Sequence, residues 1–180
     1  MTYPLYTRCV SNVSQALEML NTLRERRAVT HDTITCICSR RRAADIALQA
    51  EFDELRHAFI TPAPREALWQ LLRASAAVVD STEDVSLSLY RDGFSALGAN
   101  DTALLAAVKD ECEKLKTALE SLPHYPKSES VITALCALEK AHRTTESHTA
   151  SPAAQNALHG ISAAVFATAA CLRQLLLTIT

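Results

Sequence analysis

Residues 34–66 read ITCICSRRRAADIALQAEFDELRHAFITPAPRE. Ile34, Ile37, Ala44, Leu48, Phe52, Leu55 and Phe59 recur at intervals that fall on one helical face, so the stretch is one long amphipathic helix. Thr30 or Asp32 stands where its N-cap belongs. Thr61-Pro62-Ala63-Pro64 then stops it. Proline lacks the amide donor that helix continuation needs, yet suits the first turn of a new helix.

The same grammar repeats in both directions. Val10, Val13, Leu17 and Leu20 mark a first helix ending near Arg27. After the prolines, Leu68, Leu71, Val78, Val85 and Leu89 mark a third, with Asp92-Gly93 as its stop. Asn100 or Asp101 opens a fourth through Leu104, Leu105, Val108, Cys112, Leu115 and Leu119, which the Pro123–Pro126 turn closes. A fifth runs from about Ser128 through Val131, Leu135 and Leu138, and Ser151-Pro152 opens a sixth. Short connections favour antiparallel neighbours, and the chain reads as one domain, residues 1–180: an all-α, antiparallel up-and-down bundle of about six helices.

Composition agrees. The chain has 180 residues, 48% of them hydrophobic and 5% aromatic, and Ala and Leu make up about three in ten, as in packed helices. Gly93, Gly98 and Gly160 are its only glycines, which excludes Rossmann and P-loop nucleotide sites, because both need Gly-rich turns. The balance of 18 Lys and Arg against 20 Asp and Glu offers no general attraction for nucleic acid or an anionic membrane. Residues 1–10, MTYPLYTRCV, have neither the basic nor the apolar segment of a signal peptide, so a cytoplasmic location with reduced cysteines is expected. Cys36 and Cys38, two apart on a helix, point in different directions and cannot chelate one zinc. Residues 161–180 are strongly apolar but carry Ser162, Arg173 and Gln174, and read as a buried C-terminal helix rather than a membrane span. No nucleophile, base and oxyanion arrangement emerges, so the protein is read as not an enzyme.

Phe59-Ile60-Thr61-Pro62, followed by Arg65-Glu66 and then Val78-Val79-Asp80 and Glu83-Asp84, resembles the signature of the PhoU-like phosphate transport regulators. The resemblance is to the branch that accompanies inorganic phosphate transporters of the Pit type, and it covers about Arg41 to Asp84. It implies a helical bundle that regulates or assists phosphate uptake through contacts with the transporter or an associated signalling protein. In that reading the protein is peripheral to a membrane only through such a partner. Many relatives bind metal through acidic pairs spaced four apart, which lie on one helical face and can offer four carboxylates to one cation.

This chain departs from that pattern. Counting back from Phe59, the acid expected four residues before Asp45 is Arg41. The acid expected four before Asp80 is Ala76. Glu139 is followed at i+4 by Arg143, and residues 151–180 contain no Asp or Glu. Asp45, Asp80, Glu83 and Glu139 are the acids that survive where the resemblance implies a metal site, which would then be a degenerate one. Arg41 shares the register of Ile37, Ala44 and Leu48, and a core-facing guanidinium requires carboxylate partners. The expectation is that Arg41 and Arg143 take the place of metal ions in an ion-pair network with those acids. The alternative has both arginines reaching solvent, with the acids as surface residues.

Two further groups stand out. Among His124, His142, His148 and His159, His142 has Glu139 at i−3 and Glu146 at i+4, an alternative ligand set for a divalent or iron-type ion. Arg26, Arg27, Arg40 and Arg42 flank the first interhelical loop and form a candidate patch for an anion or an acidic partner. No cofactor is expected unless one of the metal readings holds, and a homodimer remains open.

Overall fold

The computed structural model describes residues 4–26, 30–58, 61–91, 97–124 and 129–179. It contains six α-helices: α1 (Pro4–Arg26), α2 (His31–His57), α3 (Arg65–Arg91), α4 (Ala99–Ser121), α5 (Ser130–Ser147) and α6 (Pro152–Ile179), with a 3₁₀ turn at Leu122–His124. This is an all-α bundle, as the apolar periodicity requires. α1 starts at Pro4, earlier than its stripe announces, because Leu5, Tyr6 and Cys9 are buried with it. Thr30 caps α2, its hydroxyl accepting from the Thr33 amide at 3.3 Å. The proposed stop at Asp92-Gly93 lies outside the described residues.

α1, α3, α4 and α6 form the inner layer; α2 lies outside on α1 and α3, and α5 outside on α4 and α6. The core is one continuous apolar cluster, with Met19, Leu20, Leu71, Leu72, Leu104, Leu115 and Leu172 inaccessible to solvent. α6 is long and apolar enough to cross a membrane by length and composition, with mean hydropathy 1.6 over its most apolar window. Here 44% of that window is buried in the bundle, and the seam between α3 and α6 is the most extensive in the fold.

The two halves, α1–α3 and α4–α6, repeat one polar detail. Ser75 is the eleventh residue of α3 and accepts from Asn12 Nδ2 on α1 at 3.0 Å. Ser162 is the eleventh of α6 and donates to Glu111 Oε2 on α4 at 2.7 Å. Asp101 ties the second half together. Its Oδ2 accepts the Gly98 amide at 3.1 Å, capping α4, while Oδ1 accepts the Ser151 amide at 2.9 Å just before α6. Gly98, rather than Asn100 or Asp101, is thus the N-cap of α4, and Asp101 is its N3 partner.

Candidate site: an arginine among carboxylates

The register of α2 against α3 creates this site. Ile37 and Ala44 are buried, and one turn between them Arg41 leans toward α3. On α3 the stripe of Val78, Val79, Thr82 and Val85 is buried, which leaves Asp80 and Glu83 at its edge facing α2. The Arg41 guanidinium bonds Asp45 one turn along its own helix, reaches Asp80 Oδ1 through Nη2 at 3.0 Å, and lies 3.0 Å from Glu83 Oε2 through Nε. Its side chain is 31% exposed and that of Glu83 18%, so the cluster is half-buried.

Three carboxylates around one cation leave excess negative charge. Partial burial works against the charge on Arg41, but Asp80, Asp45 and Glu83 outweigh it and hold the guanidinium charged more firmly than usual. For Asp80 the balance falls the other way. Burial, then the repulsion of Asp45 and Asp84, raise its carboxyl above the ordinary range despite Arg41. Cys38 packs alongside, and burial together with Glu83 pushes its thiol up.

The donor set does not fit a carboxylate-bound metal: the guanidinium occupies the space that the acids share, and Ala76 is buried where a fourth ligand would stand. Glu139 does not join the cluster. It pairs with Arg173 across α5 and α6, on the flank of the bundle opposite α2. Arg143 does not join it either. It is exposed, without an ion-pair partner among the described residues, because it projects on the side of α5 away from buried Ala141 and Thr145. The network thus contains one arginine and three acids, where two arginines and four acids were expected.

The alternative set of Glu139, His142 and Glu146 does not assemble. Arg173 takes Glu139, and His142 turns inward, with Nδ1 at 3.0 Å from Ser162 Oγ and 3.3 Å from Glu111 Oε1. Its Nε2 is 3.6 Å from Glu146, and its ring stacks on Phe166 with centroids 4.5 Å apart. Among the described residues no group of three or more His, Cys, Asp or Glu is placed to hold a metal ion. Glu111, wholly buried, is the polar residue that the sequence reading missed. Its signal was there: Leu104, Val108, Glu111 and Leu115 share one stripe, and a carboxylate within an apolar stripe must find partners inside the bundle.

Of the arginine patch, Arg40 pairs with Glu18 on α1 and Arg42 is exposed, while Arg27 and the Arg26 side chain lie outside the described residues. The six cysteines are free thiols; burial pushes that of Cys9 up to about 12, so it behaves as a small hydrophobe. Of the motif, Phe59 and Ile60 also lie outside. The rest builds the corner between α2 and α3: Thr61 Oγ1 donates to the Ala63 carbonyl at 2.8 Å, Arg65 reaches back to the Ala58 carbonyl, and Glu66 accepts from Gln70 at 3.0 Å. That corner sets the register that brings Arg41 opposite Asp80 and Glu83.

No family model and no curated protein matches this chain. Its fold does match solved structures. A PhoU-like protein from Shewanella oneidensis MR-1 superposes with a TM-score of 0.69 at 11% identity, over 97% of this chain and 98% of that one. A second protein of that organism, described as a PhoU-like phosphate regulatory protein, superposes with a TM-score of 0.60 at 12% identity, again over 97% and 98%. At such identities the likeness concerns the fold: the bundle is PhoU-like.

Proposed function

We propose that this chain is a non-enzymatic, cytoplasmic regulatory or accessory protein of inorganic phosphate transport. It acts through contacts with a Pit-type transporter or an associated signalling protein, and an arginine stands where relatives hold metal. The fold likeness and the Phe59–Glu66 motif support the phosphate connection. The observation that carries the reading is the Arg41 guanidinium spanning Asp45, Asp80 and Glu83. A fixed cation fills the role of a metal in joining α2 to α3, which leaves the helix surfaces, rather than a metal-centred reaction, as the working part.

Two measurements test it. Metal analysis after purification without chelator should find no stoichiometric metal in the wild type, whereas Arg41→Ala, with three carboxylates left around a vacated space, should gain calorimetrically measurable Mn²⁺ binding. Stoichiometric chelator-sensitive metal in the wild type sinks the arginine-for-metal idea. Separately, phosphate uptake by cells carrying a Pit-type transporter should change when this chain is deleted or co-expressed. Unchanged uptake in both cases sinks the transport reading.

A further inference from the structure

Asp84 on α3 is an exposed carboxylate that the Arg41 cluster leaves out, and Arg91, two turns further along the same helix, is an exposed guanidinium. Neither has an ion-pair or hydrogen-bond partner among the described residues. Both line a groove of about 600 Å³ between α3 and the first turns of α6, a volume that suits a small ligand. Ser81 and Ser88 on α3 and Asn156 on α6 line it too, again without partners among the described residues. Other hydroxyls of α3 behave differently. Thr82 and Ser86 fold back onto their own helix, donating to the Val78 and Thr82 carbonyls at 2.7 and 2.8 Å. Ser81 and Ser88 leave theirs available in the groove. Gly160 forms part of the opposite wall. A glycine inside a helix costs stability relative to alanine, and nothing in the fold asks for this one, since a Cβ there would meet no neighbouring atom within 4 Å. Its bare backbone widens the groove.

We infer that this groove binds an extended peptide, about three residues long, with a cationic group at one end and a carboxylate at the other. The charges select that ligand class. Asp84 and Arg91 are seven residues apart, roughly 10 Å along the helix axis, which is too far for them to neutralise each other and close to the span of three extended residues. A simple anion would bind Arg91 and be opposed by Asp84, and a simple cation would meet the reverse. An apolar molecule would take water from five polar side chains and return no hydrogen bond. A zwitterion of that length satisfies both ends. Between them the Ser81 and Ser88 hydroxyls both donate and accept, and the Asn156 amide offers the donor and acceptor pair that a peptide group needs. Two sources share this chemistry: a free short peptide, through its termini, and an internal segment of a partner protein, through a basic and an acidic side chain. Nothing in this depends on the phosphate connection.

The test is isothermal titration calorimetry on the full chain with two probes, tri-alanine with free termini and acetyl-Lys-Ala-Glu-amide. A site of this kind should bind at least one of them with a Kd on the order of 0.3 mM. Binding of tri-alanine alone assigns the groove to free peptides, and binding of the blocked peptide alone assigns it to a partner's segment. Gly160→Leu, whose added side chain enters the groove, should keep the helical circular dichroism and melting temperature of the folded bundle yet abolish binding. Asp84→Asn should weaken the bound probe about threefold but leave its counterpart without the cationic group, N-acetyl-tri-alanine or acetyl-Gln-Ala-Glu-amide, unaffected. No heat of binding from either probe at about 5 mM overturns the inference. So does binding undiminished in Gly160→Leu, or an Asp84→Asn loss that is equal with and without the cationic group, because the polarity of the groove would then play no part.

Discussion

Asp80 is where the Arg41 cluster is least settled. Its carboxyl is raised chiefly by burial and then by Asp45 and Asp84, so the folded state holds a proton there more readily than the unfolded chain does. Asp80 is therefore most favourable to folding below the ordinary carboxylate range, and that contribution is lost as pH rises through its folded value. Asp80→Asn should accordingly leave the melting temperature at pH 7 equal to or above that of the wild type, an advantage that vanishes toward pH 3.5. Asp45 and Glu83 still hold Arg41 in this variant. Thermal melts of the two proteins across that range check the sign, and a variant clearly less stable at pH 7 would mean that the ion pair outweighs the repulsion. The cluster was half legible in the sequence. Arg41, Asp45, Asp80 and Glu83 follow from helical register, which is local. Glu139 and Arg143 did not follow, because which flank α5 occupies depends on packing between helices that no single stripe records. The stripe of α4 places Glu111 in the core, but its partners were hidden for the same reason, since Ser162 and His142 come from two other helices.

At the scale of elements, apolar spacing and proline placement are enough to define six helices, and the ends carry the differences. Pro64 and Pro152 mark true starts because the residue's own geometry dictates them. The start of α4 is less visible, because Gly98 caps it through a side chain three residues further on. That side chain does two tasks. Burial alone would raise the Asp101 carboxyl, but the Ser151 and Gly98 amides overcome it and hold it below the usual range. A depressed folded value means stability that is present above the unfolded carboxylate value, about 3.9, and lost as pH falls through the folded one. Asp101→Ala removes a cap from α4 and the tether to the start of α6, and should lower stability at pH 7 by about 1–3 kcal/mol. The difference from the wild type should shrink in acid. Urea unfolding at pH 7 and pH 3 measures both, and equal loss at the two pH values would show that the carboxylate charge plays no part.

At the scale of the whole molecule, the bundle consists of two three-helix halves, each with a buried polar pair, Asn12–Ser75 and Glu111–Ser162, whose serine is the eleventh residue of its third helix. The halves are not separate folding units, since the α3–α6 seam between them is the most extensive in the fold and α1 also packs on α4. Each helix in the inner layer therefore completes the core of the other half. Leu172, inaccessible to solvent on α6, lies in the second half, whereas Trp69, the chain's single tryptophan, lies on α3 in the first, packed at a tilt against Phe52 with centroids 5.3 Å apart. Leu172→Ala should lower stability by about 2–5 kcal/mol through the cavity it opens. If the seam couples the halves, tryptophan fluorescence and far-ultraviolet circular dichroism should shift together to the same lower denaturant midpoint, as one two-state transition. A fluorescence midpoint left in place while the helical signal moves would instead mean that the first half folds alone, and that the apolar seam positions two independent modules rather than making one.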